Sequence, residues 1–296
     1  MQNVTTNAIV SGCLTWWEPK PADAARLYSE LESIGLGQYA PRPATAEAAL
    51  QAAMKQWGDG LGKQKVTTTD AKHQYKVFAR RDKKQDGFEL VDVTRKRGPN
   101  SYACECACRV YPATNQVEAL EGYVDIYQLQ EAFDQYRKQA SGADVGRSLV
   151  QLTQAMNGTC VRMNGGNYYL PEGVVQRWYD VIDVFEQCSQ TVVTRMRVVM
   201  DDIAARAIRK GIVEELIKES AKMAEELRHG DLAEDVIERR KIRSMELRAK
   251  AKMYEEILSD TLTEVHAVLD LADSCAAAAL ATQEDKQVFD FESTFA

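Results

Sequence analysis

The tripeptide His229-Gly230-Asp231 constrains this chain most, because it separates two long proline-free stretches that both keep a 3-4 apolar spacing. Gly230 can take the left-handed conformation that closes a helix, and Asp231 with Glu234 three residues on reads as a capping box for the next one. The chain is therefore expected to fold back there. With about 50 residues on either side, the object implied is an antiparallel helical hairpin roughly 75 Å long at 1.5 Å per residue.

The first arm is a helical pattern from Glu172 to His229, with a break or change of face near Gln187-Cys188-Ser189. In the second arm Val236, Arg240, Arg243, Leu247, Ala251, Tyr254, Leu258, Thr261, Val265, Val268, Ala272, Cys275 and Ala279 follow 4-3 steps, the seam of a coiled coil. Ile212, Leu216, Met223 and Leu227 answer from the first arm. Arg240 and Arg243 are anomalies in such a seam, since a buried guanidinium costs several kcal/mol unless paired. Either Glu225 and Glu226 pair with them, or that end is splayed and wet. A seam this long carries more apolar surface than one facing helix covers, so Tyr254, Leu258, Leu262, Val265 and Leu269 are candidate partner-binding residues. The last residues, Glu284 to Ala296, read as a mobile acidic-aromatic tail. Phe289, Phe291 and Phe295 are its candidate anchors for a basic, apolar groove.

The N-terminal half reads as an α+β head. A strand over 8–17 stops at Glu18-Pro19-Lys20-Pro21, and a helix carrying Leu27, Tyr28, Leu31 and Ile34 closes at Gly35-Leu36-Gly37. Thr45 is an N-cap for a second helix that runs out in the glycine-rich Gly58-Asp59-Gly60-Leu61-Gly62. Between His73 and Tyr111 the period changes to two, giving a three-stranded antiparallel meander with turn-rich connections. A helix follows from about Asp125 to Gln139. From Ser141 a further helix and two short strands around Asn164-Gly165-Gly166 form a winged-helix-like unit, and Pro171 ends the second strand.

Chemistry is sparse along this order. The three histidines, His73, His229 and His266, make no metal spacing, and neither a Gly-x-Ser-x-Gly elbow nor a phosphate-binding lysine loop occurs. No catalytic residue, cofactor or metal is assigned, and the function expected is non-enzymatic. Cys104, Cys106 and Cys108 alternate on a strand and would point to one side. Zn²⁺ would need a fourth ligand that nothing nearby supplies, so packing of an inner sheet face is the preferred reading. Residues 72–97 carry nine Lys/Arg against four Asp/Glu, with Arg80, Arg81, Lys83 and Lys84 around one turn. Together with Arg147 and Arg162 beside the wing, they are the candidates for an alternative function in nucleic-acid binding.

The strand with Leu14-Thr15-Trp16-Trp17, the Gly35-Leu36-Gly37 stop, Pro41-x-Pro43, the Ala46-to-Ala53 helix and the run Asn164-Gly165-Gly166-Asn167-Tyr168-Tyr169-Leu170-Pro171 resemble an uncharacterised family of bacterial and phage proteins. The resemblance covers about half the chain. It implies a bacterial or viral source and transfers no activity and no site.

The expected organisation is an α+β head at 1–140, the helix and β-hairpin unit at 141–171, the long helical hairpin at 172–283 and the tail at 284–296. No apolar run reaches the 18 or so residues that span a bilayer, and the start lacks a signal-peptide pattern, so a cytoplasmic protein without a membrane role is expected. Seven cysteines, an odd number, fit the same compartment. The function expected is protein interaction or assembly, with another protein or with itself as a homo-oligomer, through the coiled-coil hairpin. The alternative is a nucleic-acid-associated regulator that uses the basic turns and the wing, with the coiled coil as its dimeriser.

Overall fold

The alternating and 3-4 patterns become ten strands and eight α-helices among the described residues of the computed structural model, which are 10–65, 73–82, 85–94, 101–162, 166–229 and 232–294. In chain order they are β1 (Val10–Glu18), β2 (Ala22–Asp23), α1 (Ala24–Ser33), α2 (Ala46–Lys65), β3 (His73–Asp82), β4 (Gln85–Thr94), β5 (Ser101–Tyr111), β6 (Gln116–Gly122) and α3 (Ile126–Lys138). Then come β7 (Gln139–Ala140), α4 (Gly142–Ala155), β8 (Thr159–Cys160), β9 (Tyr168–Pro171), α5 (Val175–Cys188), β10 (Val192–Val199), α6 (Asp202–His229), α7 (Glu234–Leu258) and α8 (Thr263–Thr294). The fold is α+β with antiparallel sheets, as the sequence led us to expect. The chain forms two compact units: Met1–Trp17 with Val150–Ile182 and Val193–Ala296, and Glu18–Leu149 with Asp183–Val192.

In the second of these units β3, β4, β5 and β6 form a meander in sequence order. The fourth strand, β6, was not read from the sequence. It follows a tight turn in which Asn115 takes a left-handed φ of 55°. Helices α2 and α3 pack on this sheet, and their core joins Leu50, Met54, Leu129 and Phe133 to Leu90, Cys106, Cys108 and Val117. Local capping explains the helix starts. The Thr45 hydroxyl accepts from the Ala48 N–H at 3.2 Å, and Asp125 accepts from the Tyr127 and Gln128 N–H groups. Gly35, at φ 72°, ends α1 as expected, with the Leu36 N–H reaching back to the Leu31 carbonyl at 2.8 Å. Helix α2 departs from expectation by continuing through the glycine cluster to Lys65.

The other unit contains a sheet of order β10-β1-β9-β8 and the helices α6 to α8. Here the β-hairpin read around Asn164-Gly165-Gly166 is present, but β9 lies beside β1, with Cys13 opposite Leu170 and Leu14 opposite Tyr169. The hairpin is therefore part of a four-stranded sheet and not a free wing. Asn164 and Gly165 lie outside the described residues. The expected first arm is also divided: α5 ends at Cys188, where the break was read, but the chain then runs as strand β10 before α6 begins. The run Val192-Val193-Thr194, with Val198 and Val199, is rich in β-branched residues that favour a pleated strand over a helix.

The largest difference lies in the second arm. The chain folds back between α6 and α7 as expected, although Gly230 and Asp231 themselves lie outside the described residues. Arg240 pairs with Glu226 at 2.6 Å, Arg243 with Glu219 at 2.7 Å and Lys250 with Glu215 at 2.6 Å, which fixes α6 and α7 as antiparallel. Arg240 thus takes one of the two partners expected, Glu226, whereas Arg243 pairs with Glu219 and Glu246, and both guanidiniums remain partly exposed. A second reversal, not anticipated, occurs at Ser259–Leu262. Ser259 adopts the left-handed conformation at φ 50°, and the Glu255 carboxylate accepts from the Leu262 N–H at 2.7 Å, capping α8. Thereafter α8 runs back along α7, with the Ser244 hydroxyl donating to Asp273 at 2.6 Å and Arg248 bridging Asp270 and Asp273. Two long rods are replaced by three shorter helices packed on one another.

Candidate functional site

A buried polar cluster lies where the chain leaving α4 meets α6 and α7. Asn157 takes a left-handed φ of 58°, which turns the chain out of α4, and the Gly158 N–H returns to the Thr153 carbonyl at 2.7 Å. The next four residues are then gripped one by one. Tyr254 donates to the Asn157 carbonyl at 2.8 Å, and Lys250 to the Gly158 carbonyl at 2.8 Å. Thr159 donates its hydroxyl to Glu215 Oε2 at 2.8 Å, and Lys250 closes the circuit on Glu215 Oε1 at 2.6 Å. At Cys160 the helix α6 comes so close that a Cβ added to Gly211 would stand 2.5 Å from the Cys160 carbonyl oxygen.

Burial decides what this cluster can do. The Lys250 side chain is 8% exposed and that of Glu215 23%, so removing either partner would strand a charge in a poorly solvated place. Burial holds the Tyr254 phenol well above its ordinary pKa, keeping it a neutral donor. Both Glu215 oxygens are engaged and Lys250 uses two of its three protons, so the groups are committed to holding the Asn157–Cys160 segment on the two helices. Sequence reading missed this cluster. Its only sequence signal is Lys250 immediately before the seam residue Ala251, where a solvated lysine is the ordinary expectation.

A second constellation fixes the sheet. Trp178 donates from Nε1 to the Thr15 hydroxyl at 3.3 Å, and the Thr15 hydroxyl donates in turn to the Thr194 carbonyl at 3.0 Å. Trp17 stacks on Tyr168 with ring centroids 5.0 Å apart. Trp178 is fully buried with its indole N–H satisfied, and Trp17 and Tyr168 are half-buried.

The candidate partner-binding residues of the second arm lie elsewhere than expected. Tyr254, Leu262, Val265 and Leu269 are fully buried in the core that α6, α7 and α8 share, and Leu258 is partly buried against it. The seam is covered by the chain's own third helix, so it offers no apolar face to a partner. Phe289 and Phe291 fall on the backbone of α8, which continues to Thr294 where a mobile tail was expected. Their side chains, and Phe295 entirely, lie outside the described residues.

The basic candidates fall in different units or are undescribed. Arg80 and Arg81 belong to β3, but their side chains, together with Lys83 and Lys84, lie outside the described residues. Arg147 is paired with Asp144 at 2.8 Å on α4, and Arg162 is exposed in the other unit. Of the alternating cysteines, Cys106 and Cys108 are buried in the sheet–helix core and Cys104 is exposed. The hydrogen bond with the neighbouring Cys106 thiol, and after it burial, push the Cys108 pKa up, so it stays protonated. No cluster of three potential metal ligands occurs among the described residues.

The class that the structure defines is an α+β protein with antiparallel sheets and C-terminal helices packed on one another. Residues 20–286 match the model of a family of unknown function, DUF6744, and the chain belongs to that family. The match extends over most of the chain, wider than the half on which the resemblance rested. No curated protein and no solved structure matches it. No helix among the described residues is long and apolar enough to cross a membrane.

Proposed function

We propose that this is a non-enzymatic interaction or assembly protein of the cytoplasm, and that the C-terminal end of α8 is the element that engages a partner. The observation that carries this reading is the unequal length of the three helices. Both α6 and α8 run antiparallel to α7 and therefore in the same direction as each other, and Arg209 of α6 pairs with Glu264 of α8 at 2.9 Å. Twenty residues after Arg209 comes His229, where α6 ends, and twenty after Glu264 comes Glu284, with α8 continuing to Thr294. The last ten residues of α8 therefore extend past the end of α6, roughly 15 Å of helix at 1.5 Å per residue. A single helix of that length is marginal in water unless it packs on something.

The sequence of the extension suits a docking element. Val288, Phe289 and Phe291 stand among Glu284, Asp285, Asp290 and Glu292, a composition used by short segments that seat aromatic anchors on a basic, apolar groove. The ion-paired bundle serves as the rigid base from which it is presented. The decisive comparison is light scattering at several concentrations, and capture from the native host, with the full chain and a chain ending at Gln283. The proposal expects both to unfold at the same temperature and only the full chain to associate. Equal capture by the truncated chain, together with an unchanged molar mass, would remove it.

A further inference from the structure

We infer that the outer edge of β10 is a strand-addition site for an extended acidic peptide. Among the described residues β10 is an edge of its sheet, and β1 is its neighbour on the inner side. The Thr194 and Val198 carbonyls accept hydroxyl hydrogen bonds from Thr15 and Ser11 of β1, and the Met196 backbone bonds the Cys13 thiol. Backbone groups alternate sides along an antiparallel strand, so Val193, Arg195, Arg197 and Val199 turn their N–H and C=O groups away from β1. That is a row of peptide groups ready to pair with another chain.

The side chains select the occupant. Arg195, Met196, Arg197 and Val199 are all exposed, and the Arg195 guanidinium carbon lies over the Tyr179 ring, 4.6 Å from its centroid. Among the described residues neither arginine has a carboxylate within ion-pair distance. Being two residues apart, they project from one face of the strand, while Met196 projects from the other. A second copy of this chain is disfavoured as the occupant. An antiparallel two-fold pairing centred on Met196 sets Arg195 against the other copy's Arg197, and pairings centred on Arg195 or Arg197 set that arginine against itself. Like charges directly opposite destabilise a pair of strands. A strand with carboxylates at alternate positions and apolar residues between them satisfies both faces: its acids meet the guanidiniums and its apolar side covers Met196. Arg197 can then take a carboxylate in the bidentate manner, and Arg195 is already held over the Tyr179 ring.

This site is separate from the end of α8, and removing residues 284–296 leaves it intact. The test is fluorescence anisotropy of a labelled synthetic peptide in which glutamate alternates with valine, at low salt, against the full chain. Binding is expected, weakening as salt rises, and a peptide in which lysine replaces glutamate stays free. Charge reversal by Arg195→Glu with Arg197→Glu should weaken the glutamate peptide at least tenfold and admit the lysine peptide. Arg197→Pro removes one outward N–H and leaves the pairing with β1 untouched, so it should abolish binding without shifting the thermal midpoint. On peptide addition the amides of Arg195 and Arg197 should exchange more slowly, and those of Met196 and Val198 at their former rate. The inference is overturned if no binding occurs at low salt, if Arg197→Pro binds as the parent does, or if a single-stranded oligonucleotide competes for the same amides while both peptides fail.

Discussion

Replacing Lys250 by methionine tests how much the Asn157–Cys160 grip contributes. Methionine fills a similar volume, so the apolar part of the stem is retained. Two things are lost: the charged hydrogen bond to the Gly158 carbonyl and the ion pair that neutralises Glu215. A hydrogen bond to a charged group contributes about 1.5–3 kcal/mol. A carboxylate left without its cation in a closed site adds a further penalty, for a total near the lower end of the roughly 3–5 kcal/mol seen when buried pairs are broken. Partial exposure of Glu215, at 23%, and its remaining bond from Thr159 keep the figure at that lower end. The expected loss is therefore about 3 kcal/mol, which moves a melting midpoint by roughly 6–12 °C in a domain of 150–250 residues. Urea unfolding of the parent, Lys250→Met, Glu215→Leu and the double variant completes the cycle. The double variant should cost less than the two single changes added together, by more than about 1 kcal/mol. A Lys250→Met chain within about 0.5 kcal/mol of the parent, or strict additivity, would refute the reasoning.

Three other outcomes follow from the same structure. Gly211→Ala puts a Cβ 2.5 Å from the Cys160 carbonyl oxygen, a backbone atom that cannot move aside freely, and should cost about 1–3 kcal/mol in denaturant unfolding. Thr15→Val leaves the Trp178 indole N–H without its acceptor inside the sheet and should cost about 1–3 kcal/mol, with a shift in tryptophan emission as the companion signal. Glu255→Gln probes pH dependence: the Leu262 N–H, and after it His266, hold the Glu255 carboxyl below its ordinary value of 4.5. A carboxyl depressed on folding adds stability above its unfolded pKa and loses it as pH falls through the folded one. The gap between parent and Glu255→Gln melting midpoints should thus be full at pH 7 and close on acidification from about 4.5 downward, whereas a gap that widens in acid would contradict the assignment.

Local signals in the sequence were legible where one residue type settles one backbone decision. Thr45, Asp125 and Gly35 bound their helices as their chemistry dictates, and Arg240 found Glu226 across the turn. The reversal at Ser259 was not legible, because a serine occupies the left-handed position that glycine usually marks and the 4-3 spacing runs through the turn without a phase change. Strand β10 was hidden for the opposite reason. Its valines could be fitted to a helical stripe, although five β-branched residues in eight favour a strand. Lys250 and Glu215 are 35 positions apart and meet only because α6 and α7 run antiparallel, so no local pattern announces them. The exposed-seam expectation failed on the same point. An apolar stripe shows that something covers it, and here the cover is the chain's own third helix.

That point has a direct measurement. Met245 and Ser274 are exposed neighbours of the hydrogen-bonded pair Ser244 and Asp273, so spin labels on unnatural side chains at those two sites report whether α8 returns along α7. The three-helix arrangement predicts a label separation under about 20 Å, given helix axes roughly 8–10 Å apart. A chain running straight through Ser259 would place the same positions about 43 Å apart at 1.5 Å per residue, and a distance distribution centred there would contradict the account.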